Sequence, residues 1–248
     1  TFLNMFEAAA WCNALSRFEG LEECYDLSSC AGDIGAGCPD GDFYENGCVF
    51  VQNEGGDIEG LYTCTNAVRR HASMYDCTGY RLPTGPEWEY AAKAGTTTNT
   101  YNGDMTSAHG MACADEPILN DIAWYCSNTG AGDTDAHPEQ LREVGLKEPN
   151  TWGLYDMLGN AGEWVDYVST GYPLDVNDGH SGTTLLVDPM GTTEDDDTRR
   201  DLRGGWFYRA PCMTRASSQF DAWGEFRRAG SSFRPVRTLP ATVDGGVK

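Results

Sequence analysis

The chain has 248 residues, of which 40% are hydrophobic and 11% aromatic. This composition predicts a folded globule and argues against disorder over most of the length. The formal net charge of −21 makes the protein strongly acidic, which argues against nucleic-acid binding because phosphate backbones would be repelled. The sequence also lacks a run of roughly 18 apolar residues, so it gives no sign of a transmembrane segment.

The first predicted element is an amphipathic helix near the start of the chain. Apolar residues recur at helical spacing from Met5 to Arg17, Asn4 is a suitable N-cap, and Gly20 is a suitable end. Cys12 lies on the apolar face of this helix. We expect it to be a disulfide anchor or a buried thiol and not a catalytic group.

Ten cysteines without a CxxC pair predict disulfides, because zinc sites and redox motifs usually need that close pair. We therefore expect an oxidising compartment and a secreted, periplasmic or cell-surface protein. Residues 24–78 are interpreted as an irregular, disulfide-stapled insertion with a strand over 48–52, which either carries a binding surface of its own or forms a lid. Two short loops are plausible, one closed by Cys30 with Cys38 and one by Cys113 with Cys126. The cysteines are Cys12, Cys24, Cys30, Cys38, Cys48, Cys64, Cys77, Cys113, Cys126 and Cys212.

A second helix is predicted over 85–94. Thr84 and Glu87 have the spacing of a capping box, and Gly95 provides the stop. Arg81, just before this helix, has the chemistry of a substrate clamp. We expect it instead to be a buried structural partner of a carboxylate.

The stretch from Trp152 to Trp164 combines aromatic anchors, turn glycines and oxygen ligands. Asp156 and Glu163 can supply carboxylates, and the glycines allow carbonyls between them to point inward. Hard cations such as calcium prefer that mixture of oxygens. The alternative is that Asp156 and Asn160 only form turn hydrogen bonds with nearby backbone groups.

The segment from Leu202 to Arg237 is rich in aromatic and arginine residues, which carry much of the energy at protein interfaces, and aromatic rings also stack on sugars. We predict a binding face there for a protein or glycan, although roughly half of these aromatics could belong to the core. Local basicity could attract an acidic partner or a second copy of the chain. The predicted face comprises Trp206, Phe207, Tyr208, Arg209, Phe220, Trp223, Arg227 and Arg228.

Four blocks, in this order, resemble the formylglycine-generating enzyme family, also called the sulfatase-modifying factor family. They span Gly79–Gly95, Trp152–Trp164, Leu202–Trp206 and Ser232–Arg237. The resemblance extends from about Met5 to Arg237 and favours a single domain over 1–248. It implies an irregular α+β fold related to C-type lectins, with little regular secondary structure and structural calcium. The family's first strands seem to be missing before Thr1.

The resemblance also implies a ligand set for the calcium ion. In the family the central block holds calcium through positions that correspond here to the side chains of Asp156 and Glu163 and the carbonyls of Gly159 and Ala161. A second family site lies near Asn128, Asp133 and Asp135, which do not clearly reproduce its ligands.

Catalytic members of the family hold copper(I) with two cysteines near the end of the domain, and soft thiolates suit that metal. Only Cys212 occurs in this part of the chain. We therefore expect a binding or structural module and no enzyme activity. The alternatives are a formylglycine-generating oxidase acting on a sulfatase cysteine through Cys212, and a subunit of a surface assembly or filament that pairs strands with its neighbour.

Overall fold

The computed structural model describes residues 3–35, 62–64, 68–106, 111–131, 141–166, 199–227 and 230–239. The strand expected over 48–52 lies outside these ranges, as do Arg228, Asp133 and Asp135. Asn128, the remaining candidate for a second calcium site, uses its side chain to cap a short helix: its Oδ1 accepts from Tyr125 N and its Nδ2 donates to Ala123 O.

Helix α1 spans Met5–Phe18 and confirms the first prediction. Asn4 and Glu7 form a reciprocal capping box, in which the Asn4 side chain accepts from Glu7 N and Glu7 Oε2 accepts from Asn4 N at 2.9 Å. The helix ends before Gly20, whose φ of 70° suits glycine. Cys12 is completely buried on its inner face.

Helix α2 spans Gly85–Lys93, one residue shorter than predicted, and begins with the expected capping box. Trp88 and Ala92 are buried on its inner face. Arg81 is also buried and pairs with Glu87 at 2.7 and 2.8 Å, which confirms its structural role. Two short helices follow, α3 over Pro117–Asn120 and α4 over Cys126–Thr129.

The described strands are short, between two and five residues, as expected of an irregular α+β fold. They are β1 Tyr25–Asp26, β2 Cys30–Ala31, β3 Thr63–Cys64, β4 Val68–Arg69, β5 Tyr80–Arg81, β6 Ala123–Trp124, β7 Leu158–Gly159, β8 Gly162–Trp164, β9 Arg199–Arg203, β10 Gln219–Trp223, β11 Ser231–Phe233 and β12 Val236–Arg237. Four of them form one sheet in the order β10-β9-β8-β11. The β8–β11 pair is parallel and sets Ser232 opposite Glu163, whereas the other two pairs are antiparallel.

Two hydrophobic clusters form the described core. The first packs the inner face of α1 against Trp164 and the Trp206–Tyr208 segment. The second packs Trp88 against Leu158 and the residues around β6. Because Leu158 and Trp164 belong to different clusters, the Trp152–Trp164 stretch connects the two halves of the core.

Three disulfides lie in the described part of the chain: Cys24–Cys77, Cys30–Cys64 and Cys113–Cys126. The Cys113–Cys126 prediction is confirmed. The Cys30–Cys38 prediction is wrong, because antiparallel pairing of β2 with β3 puts Cys30 directly opposite Cys64, with 3.9 Å between Cα atoms. Within the described ranges no helix is both long enough and apolar enough to cross a membrane.

Candidate functional site

A pocket of about 460 Å3 lies beside the parallel strands β8 and β11. Because these strands run in the same direction, Glu163 on β8 and Arg234, just after β11, reach the same place. The Tyr155–Ala161 turn and the loop at Val144–Gly145 supply the other walls. The full lining is Val144, Gly145, Tyr155, Asp156, Asn160, Ala161, Glu163, Ser232, Phe233, Arg234 and Pro235.

Glu163 and Arg234 form the charged floor of the pocket. Arg234 Nη2 donates to Glu163 Oε1 at 2.7 Å, and Arg234 Nε donates to Oε2 at 3.1 Å. The indole of Trp88 donates to the same Oε2 at 2.7 Å. Burial of Arg234 opposes its charge, but the neighbouring Glu163 carboxylate raises its pKa above the ordinary value. The pair is therefore ionised, and Glu163 has its charge compensated within the protein.

Asp156 and Asn160 hold one wall of the pocket in place. Both have left-handed backbone, with φ of 54° and 59°, a conformation that Asp and Asn tolerate better than most residues. Asp156 Oδ2 accepts from Gly145 N at 2.7 Å, and the Asn160 side chain exchanges two hydrogen bonds of 3.0 Å with the backbone of Arg142. These side chains therefore fasten the loop over 142–145, which is more than the local turn bonds expected from the sequence.

The predicted calcium ligands are only partly assembled. Asp156, Ala161 and Glu163 line the pocket, but Gly159 packs against Trp124, so close that a Cβ on it would lie 2.2 Å from the Trp124 carbonyl oxygen. Both oxygens of Glu163 already accept charged or indole donors. A guanidinium bound to the main carboxylate ligand also repels a divalent cation. The residues as arranged therefore do not fit calcium held by the predicted set.

Most of the predicted aromatic face lies in the core, which corrects that part of the prediction. Trp206, Phe207, Tyr208 and Arg227 are each at most 2% exposed. Trp206 can pack there because Gly162 has no side chain: a Cβ at that position would lie 2.4 Å from the indole ring.

Arg227 is buried because it serves helix α1. It pairs with the capping carboxylate of Glu7 at 2.9 Å. Arg209, Phe220 and Trp223 are partly exposed, so only these described members of the predicted face reach the surface.

The sequence analysis missed Arg234 and Phe233 as residues of the site. The block from Ser232 to Arg237 could be singled out as a motif, but its partner became visible only with the parallel pairing of β8 and β11. The Val144–Gly145 wall carries no recognisable sequence signal.

The free cysteines of the described residues are Cys12 and Cys212, and they have different surroundings. Burial, followed by the negative charge of Asp166, raises the pKa of Cys12 to about 12. Cys212 is partly exposed, and its Sγ lies 3.9 Å from Met111 Sδ.

One other cluster in the described part of the chain has the spacing of metal ligands: Glu22, His71 and Cys77. Cys77 is disulfide-bonded to Cys24 and so cannot offer a thiolate. Glu22 accepts hydrogen bonds from the backbone N and the hydroxyl of Thr78, and these bonds lower its pKa. We therefore assign this cluster a structural role.

The fold and the pocket define a loop-rich, disulfide-bonded α+β domain of the formylglycine-generating-enzyme type, in which turns carry the site. Residues 1–239 match the family described as "Sulfatase-modifying factor enzyme 1-like domain", and the chain belongs to that family. The expected family and fold class are thereby confirmed.

Two curated relatives and one solved structure show how far the similarity extends. "Chaperone protein LppX" of Paenibacillus barcinonensis is 31% identical over 165 residues, covering 64% of this chain and 48% of that protein. "Formylglycine-generating enzyme" of Mycobacterium tuberculosis (strain ATCC 25618 / H37Rv) is 34% identical over 138 residues, covering 54% and 42%. The chain thus spans about half the length of the curated relatives it matches. The structure of "Treponema denticola variable protein 1" aligns with a TM-score of 0.61 and 26% identity, covering 96% of this chain and 70% of that one.

Proposed function

We propose that this domain is a non-catalytic binding module that engages a protein or glycan partner at the pocket beside β8 and β11. The observation that carries the proposal is the pocket itself, whose charged floor is fixed by hydrogen bonds while Tyr155 and Val144 stand exposed at its rim, by 45% and 73%. A rigid floor with an exposed aromatic rim is typical of a recognition site.

The relatives support binding without deciding the partner. One has a name that includes "chaperone", one is a variable protein, and one is an enzyme. The disulfides support a secreted, periplasmic or cell-surface location, because such bonds persist in oxidising compartments. Calcium held by the full predicted set is not part of the proposal, since Arg234 already compensates Glu163.

The oxidase alternative has less support from the described residues. Copper(I) chemistry of the family type needs two thiolates close together. The sulfur beside Cys212 is the thioether of Met111, and Cys12 is buried within the first core cluster. Incubation with copper(I), oxygen and a peptide carrying a sulfatase-type cysteine should leave the mass of that cysteine unchanged.

The proposal is tested by binding measurements on two matched tyrosine variants. Tyr155→Ala removes the pocket rim, and Tyr90→Ala removes an exposed tyrosine outside the pocket lining. Both variants and the parent are compared on a glycan array, on a displayed peptide library, and for self-association by sedimentation. We expect ligands whose binding falls at least tenfold in Tyr155→Ala and stays within twofold in Tyr90→Ala. Equal loss in both variants, or conversion of the peptide cysteine, would contradict the proposal.

A further inference from the structure

The charges that line the pocket leave one carboxylate uncompensated. The lining contains three charged side chains, of which Glu163 and Arg234 neutralise each other. Asp156 accepts one hydrogen bond, from Gly145 N to Oδ2, and among the described residues it forms no ion pair. Its Oδ1 has no hydrogen-bond partner within the described ranges. The pocket therefore offers a single negative charge beside a fixed ion pair.

The other walls of the pocket are largely apolar. Phe233 and Pro235 form one side, and Tyr155 and Val144 form the rim. Phe233 is held edge-on against Trp11, with ring centroids 5.2 Å apart, which fixes this wall. A volume of about 460 Å3 is enough for one long side chain to enter and bury its stem.

One class of ligand satisfies both the charge and the walls. An organic monocation can pair with Asp156, lay an alkyl stem against Phe233 and Pro235, and meet an aromatic ring. A divalent metal ion needs more oxygens than this lining provides and would meet the Arg234 cation. A neutral glycan would leave the Asp156 charge without a partner.

We propose that the pocket binds a lysine or arginine side chain presented by a protein partner, with Asp156 as the residue that selects the cation. This inference rests on the proposed binding function and names its partner chemistry. The acidic surface of the chain, with a net charge of −21, would also speed the approach of a basic partner.

The test uses blocked amino acids as probes, followed by NMR on the isotope-labelled protein. N-acetyl-lysine methylamide and N-acetyl-arginine methylamide provide the cation, N-acetyl-norleucine methylamide provides a stem without charge, and calcium chloride is titrated separately. The Gly145 amide is the reporter, because it donates to Asp156 at 2.7 Å. We expect a cationic probe to shift this signal saturably and the norleucine probe to bind at least tenfold more weakly.

Two variants make the test specific. Asp156→Asn removes the charge and keeps a residue that tolerates φ of 54°, and Glu143→Gln removes an exposed charge outside the pocket lining. We expect affinity for the cationic probe to fall at least tenfold in Asp156→Asn and less than twofold in Glu143→Gln.

Three results would overturn the inference: equal binding of norleucine, equal loss in both variants, or a Gly145 response to calcium but not to the cationic probes. The proposed binding function would survive any of these if Tyr155-dependent ligands of other chemistry were found. Its own failure is therefore recognised separately.

Discussion

At the scale of single residues, the pocket depends on Arg234. Its side chain is 28% exposed, and its partner Glu163 is 8% exposed. Removing one partner of such a pair leaves an uncompensated buried charge, and this costs more than the pair contributes when intact.

We therefore expect Arg234→Gln to lower the free energy of unfolding by about 2–4 kcal/mol, toward the low end for buried pairs because Arg234 is partly solvated. Urea denaturation measures this loss. The double variant Glu163→Gln with Arg234→Gln should recover part of the stability, since no unpaired charge remains. A double variant less stable than Arg234→Gln alone would contradict this account of the floor.

The two free cysteines should differ in reactivity. With a pKa raised to about 12 against an ordinary value of 9.0, Cys12 stays a neutral thiol in the folded protein. At pH 8, native protein treated with iodoacetamide should be modified at Cys212 and not at Cys12, as peptide mass spectrometry would show. Because the folded pKa is raised, the contribution of Cys12 to stability is fully present below pH 9 and is lost as pH rises toward 12. Modification of Cys12 at an equal rate in the native state would contradict its burial.

At the scale of elements, the disulfides Cys24–Cys77 and Cys30–Cys64 form nested loops with sequence separations of 53 and 34. While the inner bond is intact, the outer bond closes an effective loop of only about 19 residues. In the chain-entropy account the outer bond then contributes about 3 kcal/mol, and about 4 kcal/mol once the inner bond is gone.

This nesting predicts a measurable coupling between the two bonds. Replacing Cys24 and Cys77 by serine should cost about 1 kcal/mol more in a background that lacks the Cys30–Cys64 bond. The Cys113–Cys126 bond, with a separation of 13, provides the matched control, and its removal should cost the same in both backgrounds. The absence of any difference for the outer pair would show that native-state strain, and not loop length, sets these energies.

The elements also show which parts of the fold are predictable from sequence. Helices α1 and α2 are predictable because a capping box and the helical spacing of apolar residues are local signals. The burial of Trp206 is not, because it depends on the missing side chain of Gly162. Half of the pocket lies in one recognisable stretch, yet Glu163 meets Arg234 across 71 residues of sequence. Pairing at that distance is set by packing, which a linear pattern does not record.

At the scale of the whole molecule, chelation separates the pocket from a structural metal site. A protein stabilised by bound calcium loses melting temperature when the ion is removed. Because Arg234 already neutralises Glu163, we expect an unchanged Tm when excess EGTA is added to protein purified without chelators. EGTA loaded beforehand with calcium is the control. A fall of several degrees that added calcium reverses would restore the calcium interpretation of the Asp156–Glu163 stretch.

The parallel pairing of β8 with β11 has a consequence for how the protein is made. Strand β11 and Arg234 lie close to the C-terminal end of the described residues, so they leave the ribosome after nearly every other described element. Until they emerge, Glu163 lacks its cation and the pocket lacks one wall. Binding competence therefore arises in one late step of synthesis, and a nascent chain stalled before β11 would have its helices but no recognition site.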